Sequence, residues 1–236
     1  MKKFCTILIL GLLLAGPSFS QHFFIGVNGS VMNTWITDVR SVNMPDMDYK
    51  TTFNPAVALN VGLQITNHLA IEIQPGYQVL GQKLSDAIGD TTYSRTITLN
   101  YFQLPIFLKY RTGGALAKFF IEVGPQFNML MSAKQTYMKK DSPWDDPFTN
   151  PNTHKSEARN TSDIKSHFNS MDIMARMDFG VEFVVIKKLM IDAGINLGYG
   201  LTDINSADWK IKNSSGKYTA SHNIFGGATI GVNYVF

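Results

Sequence analysis

The chain has 236 residues, of which 44% are hydrophobic and 17% charged, and its formal net charge is +3 at pH 7. This length suits one domain, and the near-neutral charge without a basic patch excludes a nucleic-acid-binding protein. Cys5 is the only cysteine. Disulfides, thiol nucleophiles and cysteine metal sites are therefore excluded from the rest of the chain.

The N-terminus has the pattern of a secretory signal. Two lysines precede an apolar run over Phe4–Ala15, and small residues follow up to Ser20. The run is shorter than the ~20 residues that a transmembrane anchor needs, so the anchor is the weaker interpretation. We predict a cleaved signal peptide over 1–20 and a mature domain over 21–236, exported to the cell outer membrane by a Sec-type route.

Two alternating runs joined by a Gly-Gly turn occupy Phe102–Met131. In each run every second residue is apolar, while the intervening positions carry polar groups or glycine. Such alternation over ten or more residues predicts strands longer than those of ordinary globular sheets. After the signal no run of about 18 apolar residues remains, so a closed barrel is the structure that can span a bilayer.

The same alternation recurs along the mature chain and predicts eight strands. Long connections at about 34–54, 82–96, 132–170 and 205–222 alternate with short ones, as expected for long outer loops and short periplasmic turns. The predicted fold is all-β: an eight-stranded antiparallel up-and-down transmembrane β-barrel. A secreted soluble barrel is disfavoured, because strand faces rich in glycine and carboxylates would not make a dry core. The strands are expected near 22–33, 55–66, 69–80, twice within 102–131, and near 171–185, 189–204 and 223–236.

The predicted inward faces carry a cluster of charges. The short turn at 186–188 sets Glu182 opposite Asp192, and the earlier hairpin sets Lys109 opposite Glu122. Facing carboxylates are destabilising unless one is protonated or a cation bridges them, and Lys109 or Arg176 could do so. Two interpretations stay open, a satisfied polar core with ordered water or a proton- or cation-sensitive plug. The cluster comprises Glu72, Lys109, Glu122, Arg176, Asp178, Glu182 and Asp192, with Asp172 as a further inward acid.

Three prolines fall near mid-height on adjacent predicted strands, at Pro75, Pro105 and Pro125. Proline cannot donate to a strand ladder, and a closed barrel has no free edge to accommodate it. We predict bulges or missing ladder bonds there, forming a weak seam.

The connection over 132–170 is the longest and has mixed charge. Its candidate binding residues are Trp144, Asp145, Asp146 and Phe148. Because long loops on a rigid scaffold often carry binding, we expect contact with a protein partner there, besides the contact of the barrel with outer-membrane lipid. A purely structural role and a small or gated pore remain alternatives. The histidines show no catalytic or metal-ligand spacing, so we expect no enzyme, no cofactor and no metal.

Several short motifs resemble those of one family. YFQLPIFLKY at Tyr101–Tyr110, V-G-P at Val123–Pro125, D-F-G at Asp178–Gly180, Y-G-L-T-D-I at Tyr199–Ile204 and the terminal Phe236 are similar to marks of the PorT-type outer-membrane β-barrel family of Bacteroidetes-like bacteria. The resemblance implies a barrel in the outer membrane of a Gram-negative cell, without catalytic residues. One member of that family assists a protein-secretion system, which implies an accessory role in secretion as an alternative function.

Overall fold

The computed structural model describes residues 22–39, 47–114, 116–144, 147–158, 160, 163–186, 188–212 and 215–236. The predicted signal peptide lies outside the described residues, as do Asp145 and Asp146. Among the described residues, no helix combines the length and the apolar character needed to cross a membrane.

The described chain is built almost entirely from strands, with two short 3-10 turns at Lys165–His167 and Ala207–Trp209. The strands are β1 (His22–Ile36), β2 (Asp48–Lys50), β3 (Phe53–Gln64), β4 (Leu69–Ile73), β5 (Gly76–Ile88), β6 (Thr91–Arg111), β7 (Ala117–Lys139), β8 (Ser142–Pro143), β9 (Phe148–Thr149), β10 (Ser156–Glu157), β11 (Met171–Ile186), β12 (Leu189–Gly200) and β13 (Asn223–Val235).

The long strands form a closed antiparallel ring. Each pairs with its neighbours in the chain, and β1 pairs with β13 from Phe24↔Val235 to Ile36↔Asn223, which closes the sheet. Since β4 and β5 together act as one interrupted strand between β3 and β6, the ring has eight members. The predicted fold class is confirmed. The short turns and both ends of the ring lie on one side, which is the periplasmic side of such barrels.

Side chains alternate between the two faces of the wall, as the sequence predicted. On β6, Ile106, Leu108 and Tyr110 are exposed, whereas Phe107 and Lys109 are buried. Because the apolar side chains point outward, they form the surface that a lipid bilayer covers. Exposed aromatic side chains form two bands, as is typical of such barrels: Phe23, Tyr110, Phe119, Phe183, Tyr234 and Phe236 on the periplasmic side, and Tyr77, Phe102 and Tyr199 on the outer side.

The proline seam is present at two of its three predicted positions. Pro75 lies between the end of β4 and the start of β5. The β6–β7 ladder is interrupted next to Pro105: after the pair Pro105↔Gln126 the next pair is Leu108↔Val123. The two β6 residues between them have no partner in β7, and the register is the same on both sides of the gap. At Pro125 the prediction holds only on that side, because the ladder to β11 passes through Ala175↔Pro125 without a break. The register shifts lie elsewhere, between Asn100 and Tyr101 in the β6–β7 ladder and between Val184 and Ile186 in the β11–β12 ladder.

The predicted outer loop at 82–96 is wrong. Strands β5 and β6 continue through it as a paired hairpin whose turn is at Gly89 and Asp90, and β7 extends beside them to Lys139. The short strands β2 and β8 add to the two edges, in the order β2-β5-β6-β7-β8. We call this five-stranded part, beyond Asn100 of β6, the sheet extension.

The interior has two levels. Toward the periplasmic end lies a charged layer, which we define as Glu72, Lys109, Arg111, Glu122, Arg176, Asp178, Glu182 and Asp192. Toward the outer end lies an apolar layer, to which the outer connections contribute Ile164 and Ile204. The other members of the apolar layer are Met32, Ile36, Ala56, Leu80, Ile97, Leu99, Tyr101, Leu130, Ala133, Met174 and Phe225.

Candidate functional site: the charged layer and the outer mouth

Lys109 lies at the centre of the charged layer. Its Nζ atom is 3.3 Å from Glu72, 3.5 Å from Glu122, 3.4 Å from Glu182 and 3.8 Å from Asp192, measured to carboxylate oxygens. The four acids come from β4, β7, β11 and β12, so one ammonium joins four strands of the ring. The Phe120 ring lies against it, with its centroid 4.4 Å from Nζ. The predicted cluster is therefore brought together around one cation.

The register predictions that led to this cluster are confirmed. Glu182 lies opposite Asp192 in the β11–β12 ladder, and Lys109 lies opposite Glu122 in the β6–β7 ladder. Of the two cations considered for bridging the facing acids, Lys109 contacts both. Arg176 instead pairs with Asp178, donating from Nε at 2.9 Å and from Nη2 at 2.6 Å.

One cation of the layer was missed from the sequence. Arg111 is 1% exposed, and its Nε atom is 3.2 Å from a Glu182 oxygen. Its guanidinium also lies 5.0 Å from the Phe24 ring centroid. The predicted strand ended at Tyr110 and so left Arg111 out. Continuing the alternation by one residue would have placed Arg111 on the inward face, beside Lys109.

Acids outnumber bases in the charged layer. Five of its eight side chains are carboxylates and three are cations. Both Glu182 oxygens, Oε2 of Glu122 and Oδ1 of Asp192 accept no hydrogen bond from the described residues. A cavity of about 20 Å³ adjoins Glu122, Asp192 and Gln74, which is room for about one water molecule. Removing one cation from such a layer would leave buried carboxylates without a compensating charge, which is strongly destabilising.

Two inward aromatic rings lie flat over glycines of the neighbouring strand. Phe24 faces Gly62, and Phe225 faces Gly198. A Cβ atom at Gly62 would lie 2.0 Å from Phe24 Cζ, and one at Gly198 would lie 2.2 Å from Phe225 Cε1. The absence of a side chain at these glycines lets large rings fill the narrow interior.

At the outer mouth, aromatic side chains of several connections pack together. His167 stacks on Trp209 with ring centroids 3.5 Å apart, and Phe148 meets Trp209 edge-on at 6.1 Å. The hydroxyl of Tyr218 donates to Asp203 at 2.7 Å. Burial would raise the pKa of Asp203, but hydrogen bonds from Tyr218 and from the Asn205 backbone N–H outweigh it and lower that pKa. These contacts fix the connections over the apolar layer.

The four candidate loop-binding residues are not displayed together. Phe148 is 6% exposed and packs against Trp209, so its ring is internal and is not available to a partner as predicted. Trp144 is half-buried against Tyr93. Asp145 and Asp146 fall outside the described residues.

The mouth should loosen in acid through His167. Burial, and secondly the Arg95 guanidinium, lower the pKa of His167 to about 4, whereas a histidine free of these contacts has a pKa of about 6.5. Because the opened mouth then binds a proton more readily, the stacked mouth is fully stable above pH ~6.5 and is weakened as pH falls toward 4. Trp209 fluorescence, recorded with Trp35 and Trp144 changed to Phe, should report this transition.

The His167→Gln variant is the control for this titration. It keeps a polar side chain without a titrating ring, so the fluorescence change between pH 6.5 and 4 should disappear. A transition that persists in this variant would contradict the assignment to His167.

The sequence model of the family described as "Outer membrane protein beta-barrel domain" matches residues 18–206. The chain belongs to this family. Membership agrees with the closed ring and its apolar outer face, and places the barrel domain in the outer membrane. No curated protein matches the sequence.

Solved structures give further likenesses to this barrel domain at low identity. Neisserial surface protein A has a TM-score of 0.49 and 12% identity, over 91% of this chain and 97% of that one. Ail of Yersinia pestis, solved with the heparin analogue sucrose octasulfate, has a TM-score of 0.43 and 10% identity, over 92% and 99%. OprG of Pseudomonas aeruginosa has a TM-score of 0.41 and 8% identity, over 94% and 98%.

Proposed function

We propose that this outer-membrane barrel is a closed, non-enzymatic scaffold that presents its outer connections and sheet extension to a protein partner. The observation that carries the proposal is the filling of the interior on two levels. An eight-stranded ring is just wide enough for side chains to fill. Here ion pairs occupy the periplasmic half, and the apolar layer with buried polar groups such as Asp172 and Asn223 occupies the outer half.

The apolar layer argues against a role as an open pore. Leu99, Tyr101 and Leu130 point into the ring and are at most 1% exposed. Ile164 and Ile204 descend from the outer connections onto them, and both are at most 1% exposed. A polar solute would have to displace this packed cluster and then separate the Lys109 ion pairs.

The outer side offers the surface for contact. Strands β5, β6 and β7 continue well past the apolar belt, and the connections over 142–170 and 201–222 pack against each other through Trp209. Because a pre-organised surface loses little conformational entropy on binding, such a scaffold suits partner recognition.

An accessory role in a secretion system is the second candidate. It is favoured by the PorT-type motifs, of whose three charged residues Lys109 and Asp178 belong to the charged layer and Asp203 belongs to the outer mouth. In this case the partner would be a component of the secretion machinery, and the barrel would still be closed.

Replacement of residues 147–158 by a short Gly-Ser linker tests partner binding. We expect the variant to keep a folded barrel, because β7 and β11 remain intact, but to lose crosslinks to a partner in intact outer membranes. Folding is checked by the shift between heated and unheated protein on a detergent gel. The same replacement at the turn of the β5–β6 hairpin, residues 88–91, tests separately whether the sheet extension takes part in the contact.

Two results would contradict the proposal. One is unchanged crosslinking after both replacements, since partner contact would then not involve the outer side. The other is a large, steady conductance from the wild-type protein in a planar bilayer, which would show that the barrel is open.

A further inference from the structure

The outward face of the sheet extension begins at a polar rung across three strands. Tyr77 Oη donates to Asn100 Oδ1 at 2.6 Å, and Asn100 Nδ2 donates to Ser132 Oγ at 2.8 Å. On β6 the outward residues on the periplasmic side of this rung are apolar, such as Phe102 and Ile106, while those beyond it are threonine and serine. The rung therefore marks the outer edge of the hydrocarbon layer.

Three lysines lie on this face just beyond the rung. Lys50 stands directly opposite Lys83 in the β2–β5 ladder, so both side chains point to the same side. Lys134 is opposite Thr98 on the same outward face, one ladder step nearer the rung. From the strand spacing, Lys83 and Lys134 are about 12 Å apart. All three lysines are exposed.

Two like charges that face each other across a ladder are destabilising unless an anion lies between them. The one acid among the described residues on this part of the face is Asp48, 3.7 Å from Lys50, so a net positive charge remains. Between the lysines lie Thr96 and Thr98, whose hydroxyls can donate hydrogen bonds. Ammonium and hydroxyl donors together match a phosphate oxygen.

The distance of the lysines from the hydrocarbon layer indicates which kind of anion binds them. They lie one or two ladder steps beyond the rung, about 7–13 Å along the strand, and they face sideways along the membrane plane. Phosphate-bearing headgroups of the outer leaflet occupy this level. The bilayer confines headgroup phosphates to this level, whereas a soluble anion or an acidic protein is not concentrated beside the barrel wall.

We propose that Lys50, Lys83 and Lys134 bind the phosphate groups of outer-leaflet lipid headgroups and so fix lipid against the sheet extension. The lysines lie at the membrane end of the sheet extension and are separate from the outer connections and from the hairpin turn at Gly89 and Asp90. They face the surrounding membrane rather than the cell exterior.

The test uses the full-length protein in neutral detergent, with diphosphorylated lipid A as the probe and retention measured by native mass spectrometry. The Lys83→Glu/Lys134→Glu variant reverses two charges of the face. The matched control is Lys155→Glu/Lys212→Glu, which makes the same charge change at exposed lysines of the outer connections. A second probe is the same lipid A without phosphates, and a third is inorganic phosphate.

We expect the Lys83→Glu/Lys134→Glu variant to bind diphosphorylated lipid A at least tenfold more weakly than the wild type, and the control to bind as the wild type does. Dephosphorylated lipid A should bind the wild type and both variants equally weakly. Equal retention of diphosphorylated lipid A by all three proteins would overturn the proposal, as would inorganic phosphate that competes fully at equal concentration. Intact heat-shifted bands on detergent gels keep loss of binding distinct from misfolding.

Discussion

Replacing Lys109 by alanine is expected to lower the free energy of unfolding by about 3–5 kcal/mol, the cost of leaving a buried charge without its partner. In this barrel the cost reaches several groups at once. Four carboxylates lie within 4 Å of Nζ, and without the ammonium they would repel each other at low exposure. Arg111 would keep its contact with Glu182 but does not contact Glu72 or Glu122.

Urea unfolding in detergent micelles, followed by the heat-shifted gel band, measures this loss. Lys210→Ala is the matched control, because Lys210 also pairs with an aspartate, Asp203 at 3.1 Å, but its side chain is 44% exposed. Such surface pairs contribute at most about 1 kcal/mol. Adding Glu72→Gln to Lys109→Ala should restore part of the stability, since the two positions are coupled. Equal stability of Lys109→Ala and Lys210→Ala would disprove the central role of Lys109.

Replacing Phe225 by alanine should remove a main support of the apolar layer. The ring is 1% exposed, lies over Gly198 and is 5.8 Å from the Arg176 guanidinium. Truncating a buried phenylalanine costs about 3–5 kcal/mol through lost burial and the cavity left behind. We expect a loss in this range in the same urea assay.

Phe102→Ala is the control of equal chemistry on the opposite face. Phe102 is 41% exposed on the outward side, where lipid or detergent can fill the space of the ring, so its loss should be clearly smaller. If both variants lost equal stability, the ring at 225 would not be supporting a packed layer.

The period of the sequence was sufficient to predict the wall of the barrel. Alternation assigned the correct face to residues such as Phe107, Lys109 and Glu122. One short turn then fixed the register that opposes Glu182 and Asp192. These predictions succeed because a one-residue slip would move every side chain to the other face.

The sequence did not predict those parts of the structure in which the two faces of a strand no longer differ in polarity. In the sheet extension the outward residues, such as Thr92, Ser94 and Thr96, lie beyond the lipid tails and are polar, so the sequence of a paired strand resembles that of a loop. In the apolar layer the inward residue Leu130 is as apolar as its lipid-facing neighbours Met129 and Met131. The depth of a residue in the membrane is a property of the folded barrel, and the local pattern does not contain it.

The length of the strands in the sheet extension determines which part of the protein an approaching macromolecule contacts first. Strands β6 and β7 have 21 and 23 residues, whereas a bilayer-spanning strand needs about 9–11. The ten residues from Thr91 to Asn100 therefore add about 33 Å of strand beyond the hydrocarbon edge. We therefore expect the tip at Gly89 and Asp90 to hold an approaching macromolecule away from the bilayer. Sequence changes selected by such contacts would then occur at the tip, whereas packing constrains the inward residues nearer the membrane.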